Sequence, residues 1–165
     1  MRGPENHSVE PATSDATGLT LVFKNILFVC IGNICRSPSA EVMMRHALAG
    51  RGIEVSSAGL GALVNHEIDA TAQELLVEQG LDGGAHRARQ VTPQILCAAD
   101  LVLVMERKHL KRIHETTPHA SGKAFLLGKW QDDKEIPDPY RQQRPAFEHV
   151  YKLMSDGVES WKRYI

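Results

Sequence analysis

A cysteine and an arginine, Cys30 and Arg36, follow a short apolar run at residues 25–29, with five residues between them. Ser37 and Pro38 come next, and we expect Ser37 to be the N-cap of a helix with Pro38 in its first turn. A loop in this position directs backbone N–H groups and the positive end of the helix dipole at one point, a geometry that binds phosphate or another oxyanion. The same field stabilises a thiolate. Cys30 is therefore the candidate nucleophile, and the planar fork of Arg36 is the candidate clamp for two oxyanion oxygens.

The loop itself is expected to bind the oxyanion through its backbone N–H groups. The phosphate-binding residues predicted in this way are Ile31, Gly32, Asn33, Ile34, Cys35 and Ser37. Two other interpretations of the cysteines stay open, since Cys30 could be a buried apolar residue and Cys30 with Cys35 could be metal ligands. Zinc sites usually need four ligands, and the third cysteine, Cys97, has no partner at ligand spacing. We therefore expect neither a metal nor a cofactor.

Two segments of the chain resemble one protein family. Val29–Pro38, VCIGNICRSP, resembles the phosphate loop of the low-molecular-weight protein tyrosine phosphatases, and Asp138-Pro139-Tyr140 resembles their general-acid segment. The resemblance covers about residues 24–165. It implies hydrolysis of phosphotyrosine in a protein substrate through a phosphocysteine intermediate, with Asp138 as the general acid. Taken alone, Asp138 could equally be a solvated turn residue, because Asp-Pro pairs are common in turns.

The same resemblance implies roles for residues around the loop. Ser37 is expected to hydrogen-bond the Cys30 sulfur. Asn33 is expected to hold the loop where its backbone enters the left-handed region, which asparagine tolerates. Ser57 and His86 match family positions that brace Asn33, although His86 could also be an ordinary histidine at a strand edge.

The expected pocket walls indicate a bacterial branch of the family. Tyr140 is expected to stack along the substrate ring, with Leu63 on the opposite side. Leu63 and Arg141 stand where eukaryotic members tend to carry aromatic residues. With Leu63 and Arg141 in place of those aromatic residues, and with its sequence at 57–63, the chain resembles the branch associated with exopolysaccharide and capsule production. That resemblance implies a tyrosine autokinase as the protein substrate, an inference by analogy.

Cys35 has a second possible role. It lies five positions from Cys30 and could act as a resolving thiol, which would make the enzyme sensitive to oxidation. Alternatively, it only packs beneath the loop.

Two rival functions share parts of this pattern. A thiol-dependent arsenate reductase has the same fold and loop but needs a further pair of redox cysteines, and only Cys97 remains. A module that binds phosphotyrosine without hydrolysing it would be expected to lack Cys30 or Asp138, and both are present.

Composition limits the class of protein. The 165 residues are 42% hydrophobic and 24% charged with a net charge of −1, values typical of a globular domain that binds neither nucleic acid nor membranes. No apolar run approaches the length of a membrane span. Three cysteines without a framework spacing indicate a reducing compartment, so we expect a cytoplasmic protein.

The first twenty residues differ from the rest of the chain. They are rich in Pro, Ser, Thr, Gly and Glu, without the apolar core of a signal peptide. We predict a disordered N-terminal tail at residues 1–22 and a single phosphatase domain at residues 23–165.

Strands and helices must alternate to position these residues. Short apolar runs predict buried strands at residues 26–29, 53–57, 101–105 and 124–127. Helical patterns lie at 38–49, 70–79, from 92, 106–115 and 145–164, with Asp69 as a cap. This alternation predicts an α/β fold with a parallel sheet and helices on both faces. The resemblance adds a four-stranded order of 2-1-3-4, with the phosphate loop after the first strand. His109, His114 and His119 follow one another at intervals of five residues. This spacing does not place them on one helix face as zinc ligands, so we expect them to be solvated or packed.

Overall fold

The four predicted strands form one parallel sheet. The structure is a computed structural model that describes residues 23–165, so the predicted tail at 1–22 lies outside the described residues. The strands are β1 (Asn25–Cys30), β2 (Glu54–Gly59), β3 (Leu101–Val104) and β4 (Ala124–Leu126). Their order is β2-β1-β3-β4, which confirms the predicted topology.

Five α-helices connect and cover the strands. They are α1 (Arg36–Ala47), α2 (Ala70–Glu78), α3 (Pro93–Ala98), α4 (Arg107–Thr116) and α5 (Arg144–Lys162). Asp69 caps α2 as predicted, because its carboxylate accepts from the N–H groups of Thr71 and Ala72. A 3₁₀ helix at Pro118–Lys123 was not predicted. Its polar sequence lacks the apolar periodicity that indicates a helix.

The predicted N-cap of α1 is wrong. The helix begins at Arg36, so the N-cap position falls on Cys35, whose side chain forms no capping hydrogen bond. The Ser37 side chain lies instead beside the Cys30 sulfur. The first turn of α1 contains no acidic residue either. The positive end of this helix therefore faces the loop without a side-chain cap, which suits an anion.

The sheet separates two apolar clusters, with helices on both faces as predicted. On one face Ile26 and Phe28 of β1 pack with residues of α1, α2 and α5. On the other face Leu27 and Val29 pack with residues of α3 and α4. Side chains of a strand alternate between faces, so burial of both sets explains the continuous apolar run of β1.

Helix α5 docks through the apolar stripe seen in the sequence. Its buried side chains include Phe147, Val150, Met154, Val158 and Trp161. Trp161 also donates its indole N–H to the Leu126 carbonyl at the end of β4. Among residues 23–165, none of the helices combines the length and apolar character that a membrane crossing requires.

Candidate active site

The loop between β1 and α1 forms the floor of a pocket of about 180 Å³. It follows the carboxyl end of β1, where parallel α/β sheets bind their ligands. The pocket is lined by the whole loop and by two further segments. The lining residues are Cys30, Ile31, Gly32, Asn33, Ile34, Cys35, Arg36, Gly61, Leu63, Asp138 and Tyr140. The structure thus brings the candidate nucleophile, clamp and acid into one cavity.

Cys30 and Ser37 are in direct contact at the base of the loop. The Cys30 sulfur lies 2.9 Å from the Ser37 hydroxyl, and both residues are buried. Asn33 Nδ2 donates to the same hydroxyl over 2.8 Å. Because this Asn33 donor uses a lone pair of the oxygen, the Ser37 proton is free to point at the sulfur.

Asn33 is the centre of the bracing network around the loop. Its φ of 57° lies in the left-handed region. Its Nδ2 also donates to Ser57 Oγ over 3.0 Å, and its carbonyl oxygen lies 2.6 Å from His86 Nε2. Its Oδ1 accepts from the backbone N–H of Arg89 over 2.9 Å, a contact that was not predicted. Strand β2 and the segment at 86–89 therefore hold the strained residue of the loop in place.

The end of β2 runs very close to the loop. A Cβ atom on Gly59 would lie 2.3 Å from the Ile31 carbonyl oxygen. The N–H groups of Leu60 and Gly61 then donate to the carbonyls of Cys30 and Ile31. Only glycine permits this approach at position 59, a requirement that a single sequence does not reveal.

Arg36 is buried and anchored by groups far away in sequence. Its NH1 donates to Glu106 Oε2 over 2.7 Å and to the Ile136 carbonyl over 2.8 Å. Its NH2 lies 3.7 Å from Asp138 Oδ2. Partial burial opposes ionisation of Glu106, but the Arg36 hydrogen bond and charge prevail and lower the pKa of Glu106. Both anchors, Glu106 and Ile136, were missed because no local motif identifies partners 70 and 100 positions away.

Asp138 belongs to an exposed turn beside the pocket. Its Oδ1 accepts from the Tyr140 N–H over 3.0 Å, and its side chain is 47% exposed. The turn expected from the Asp-Pro sequence is therefore present, and it aims the other carboxylate oxygen towards Arg36.

Tyr140 and Leu63 both line the pocket and are partly exposed, at 41% and 38%. The Arg141 guanidinium carbon lies 5.2 Å from the Tyr140 ring centroid, a cation–π distance. The Leu63 segment is fixed by Gln90, which sequence reasoning also missed. Gln90 accepts from the Ala62 N–H and donates to the Leu60 carbonyl, each over 2.9 Å.

The three cysteines are free thiols in two separate places. Cys35 is buried beneath the loop, and this burial, assisted by the charge of Asp69, raises the pKa of its thiol well above the ordinary range. Cys97 is exposed on α3, with its sulfur 2.9 Å from His119 Nε2. Within residues 23–165 no three His, Cys, Asp or Glu side chains converge as a set of metal ligands.

The arrangement can perform one type of chemistry well. The Cys30 thiol, with the Ser37 hydroxyl beside it, shares one pocket with the loop between β1 and α1, an anchored guanidinium and an exposed carboxyl group. These groups suit attack on an oxyanion ester, followed by proton delivery to the departing oxygen.

The family profile described as "Low molecular weight phosphotyrosine protein phosphatase" matches residues 25–165. Among curated proteins, the Etp phosphatase of Escherichia coli K12 is 41% identical over 87% of this chain and 95% of its own length. The Wzb phosphatase of the same strain is 43% identical over 85% of this chain and 94% of its own. Both are named low molecular weight protein-tyrosine-phosphatases, which confirms the resemblance to bacterial members.

Solved structures agree with the sequence matches. Vibrio vulnificus Wzb, solved with benzylphosphonate, is 38% identical with a TM-score of 0.83, covering 87% of this chain and 99% of that one. An arginine phosphatase, YwlE of Geobacillus stearothermophilus, is 31% identical with a TM-score of 0.80, covering 86% and 92%. The matched fold, loop and curated relatives agree, and this chain belongs to the low molecular weight protein-tyrosine-phosphatase family.

Proposed function

We propose that this enzyme hydrolyses phosphotyrosine in proteins through a phosphocysteine intermediate on Cys30. The proposal rests on the convergence of Cys30, Arg36 and Asp138 on one pocket. No metal or cofactor enters the scheme, and each role falls to a residue of the chain.

In the first step the Cys30 thiolate attacks phosphorus, forming an S–P bond while the P–O bond to the tyrosine breaks. A phenol has a pKa of about 10, so its oxygen leaves poorly as an anion. Asp138 supplies the proton to that oxygen. Arg36 and the N–H groups of the loop stabilise the equatorial phosphoryl oxygens.

In the second step water attacks the phosphorus and the S–P bond breaks. The Asp138 carboxylate, left by the first step, takes a proton from the water, so that its acid form is restored. The Cys30 thiolate leaves with the Ser37 hydroxyl beside it. Inorganic phosphate is released and the enzyme returns to its starting state.

The pocket walls support an aryl phosphate as the substrate. Leu63 and Tyr140 stand at the mouth, and Ile31 and Ile34 add apolar surface from the loop. Such surfaces favour contact with an aromatic ring. A phosphoarginine side chain is the alternative, favoured by the arginine phosphatase neighbour. Bound phosphoarginine would place its charged guanidinium beside the carboxylate of Asp138.

For the cellular role we propose a bacterial tyrosine autokinase as the substrate, in the regulation of exopolysaccharide or capsule production. The likeness to Wzb and Etp supports this assignment. The three free thiols fit a reducing compartment, so we place the enzyme in the cytoplasm.

The test compares three substrates with purified enzyme in EDTA. These are a phosphotyrosine peptide, the same peptide with phosphoarginine, and arsenate with a thiol reductant. We expect phosphate release from phosphotyrosine with the highest kcat/KM. A higher kcat/KM for phosphoarginine would replace the proposal with an arginine phosphatase. Reduction of arsenate without phosphotyrosine turnover would favour the reductase, and binding without turnover would favour a recognition module.

A further inference from the structure

His109 is a buried polar side chain that takes no part in the proposed chemistry. His109 lies in the first turn of α4 and is completely buried. Its Nε2 has no hydrogen-bond partner among the described residues, which is unusual for a buried polar atom. Burial of an imidazole costs free energy unless its polar atoms form hydrogen bonds. The buried position of His109 therefore indicates a role for its ring.

The backbone of Glu106 determines which His109 nitrogen carries the proton. The Glu106 N–H donates to His109 Nδ1 over 3.2 Å. Nδ1 must then be an acceptor, which places the proton of the neutral ring on Nε2. That Nε2–H lies 3.5 Å from Glu106 Oε2, the oxygen that Arg36 contacts.

Backbone and side-chain groups of three residues lie around the carboxylate of Glu106. Its side chain accepts from the backbone N–H of His109, completing a capping box at the start of α4. Its Oε2 accepts from Arg36 NH1 over 2.7 Å, and Lys108 Nζ lies 3.6 Å from the same oxygen. The side chain of Glu106 is 18% exposed, so it is partly buried between these groups.

We propose that His109 is a positioning residue for Arg36, acting through Glu106, in a role that rests on the proposed function. It fixes the Glu106 backbone from Nδ1 and faces the carboxylate with its Nε2–H. The carboxylate is then held where Arg36 NH1 binds, and the guanidinium is kept in one orientation before phosphate arrives. Preorganised donors of this kind lower the cost of binding the transferring phosphoryl group.

The ring must be neutral for this arrangement. A charged imidazolium would have to donate from Nδ1, which would break the bond from the Glu106 N–H, and it would compete with Arg36 for the carboxylate. Burial lowers the pKa of His109 to about 4, and the nearby charges of Arg36 and Lys108 act in the same direction. Glu106 and the more distant Asp138 oppose them. The ring is therefore neutral at physiological pH.

Two substitutions separate positioning from packing. His109→Gln keeps a side-chain acceptor for the Glu106 N–H and an N–H group that can face the carboxylate, whereas His109→Met fills the space without either. We expect His109→Met to weaken inhibition by inorganic phosphate about tenfold and to lower kcat/KM for a phosphotyrosine peptide at least as much. We expect His109→Gln to restore most of both losses. Ile113→Ala, another fully buried side chain of α4, is the control for lost stability.

A double-mutant cycle tests the route through Glu106. If His109 acts through Glu106, adding His109→Met to Glu106→Gln should cause little further loss of phosphate binding. Additive losses, full phosphate binding in His109→Met, or the same loss in Ile113→Ala at a matched melting temperature would each overturn the inference. Turnover by the wild type that is abolished in Cys30→Ser would leave the proposed function standing in all of these cases.

Discussion

The Ser37 hydroxyl lies 2.9 Å from the Cys30 sulfur and accepts a hydrogen bond from Asn33 Nδ2. Because Asn33 uses a lone pair of the hydroxyl oxygen, the hydroxyl proton is free to point at the sulfur, where it would stabilise negative charge. In the proposed mechanism the sulfur is negative when Cys30 attacks and again when it leaves phosphorus. The contact should therefore matter in both chemical steps.

Ser37→Ala should slow breakdown of the phosphoenzyme more than its formation, because the thiolate is the leaving group only in the second step. Hydrogen bonds to charged groups contribute about 1.5–3 kcal/mol, so the slowing should be about 10- to 100-fold. Rapid-mixing measurements should show a burst of phenol release in the variant. Ser39→Ala, at a second buried serine of α1, should show none. A Ser37→Ala variant without a burst and with wild-type kcat would refute this role.

Asp138→Asn should slow hydrolysis of phosphotyrosine by about 10²- to 10⁴-fold. Asparagine can retain the oxygen that accepts from the Tyr140 N–H, so the turn survives while the proton is lost. The loss of kcat should be smaller for an aryl phosphate with a more acidic phenol, since that oxygen needs less protonation. Equal losses for the two substrates would show that Asp138 is not the general acid.

Cys35 should form a disulfide with Cys30 when the enzyme is treated with mild peroxide. Peroxide oxidises the Cys30 thiolate to a sulfenic acid, and the Cys35 thiolate then attacks that sulfur and expels hydroxide. Because burial raises the pKa of Cys35, little thiolate exists at neutral pH. Disulfide closure should accordingly accelerate about tenfold per pH unit.

Mass spectrometry and thiol reactivation measure this reaction. Cys35→Ala should become harder to reactivate with a thiol, whereas Cys97→Ser, which removes the exposed thiol of α3, should behave as wild type. Finding only sulfinic acid on Cys30, with no linked peptide, would rule the disulfide out.

Arg141 should favour substrates with several phosphates, because its guanidinium extends over Tyr140 at the pocket mouth. We expect a higher kcat/KM for a multiply phosphorylated tyrosine peptide than for a singly phosphorylated one, a preference that salt weakens. Arg141→Ala should reduce the preference, while Arg163→Ala removes an exposed arginine beyond the end of α5 and should not. If Arg141→Ala leaves the preference unchanged, another feature selects the substrate.

Much of the fold follows from local sequence patterns. Strands β1 and β3 are short apolar runs whose burial on both faces leaves no alternation, and Asp69 caps α2 as its sequence indicates. The N-cap of α1 did not follow, because the loop curls so that Ser37 meets Cys30 instead of the helix N–H groups. Tertiary contact here overrides a local capping preference.

The loop residues of the site were predictable, as were Ser57 and His86 beside Asn33, whereas the anchors of Arg36 were not. Cys30 to Ser37 form one continuous segment with a recognisable pattern. Glu106 and Ile136 anchor Arg36 of that segment from distant positions, and Gln90 fixes the neighbouring Leu63 segment. Only the folded chain brings these residues near. A single sequence contains no signal for such pairs.

The proposed phosphocysteine intermediate on Cys30 can be trapped by rapid quenching. The enzyme is mixed with a phosphotyrosine peptide carrying labelled phosphate and stopped within one turnover, and the label is mapped by peptide sequencing. We predict label on Cys30, formed and lost at rates that account for kcat, with neither label nor turnover in Cys30→Ser. Label on another residue, or turnover by Cys30→Ser, would contradict the mechanism.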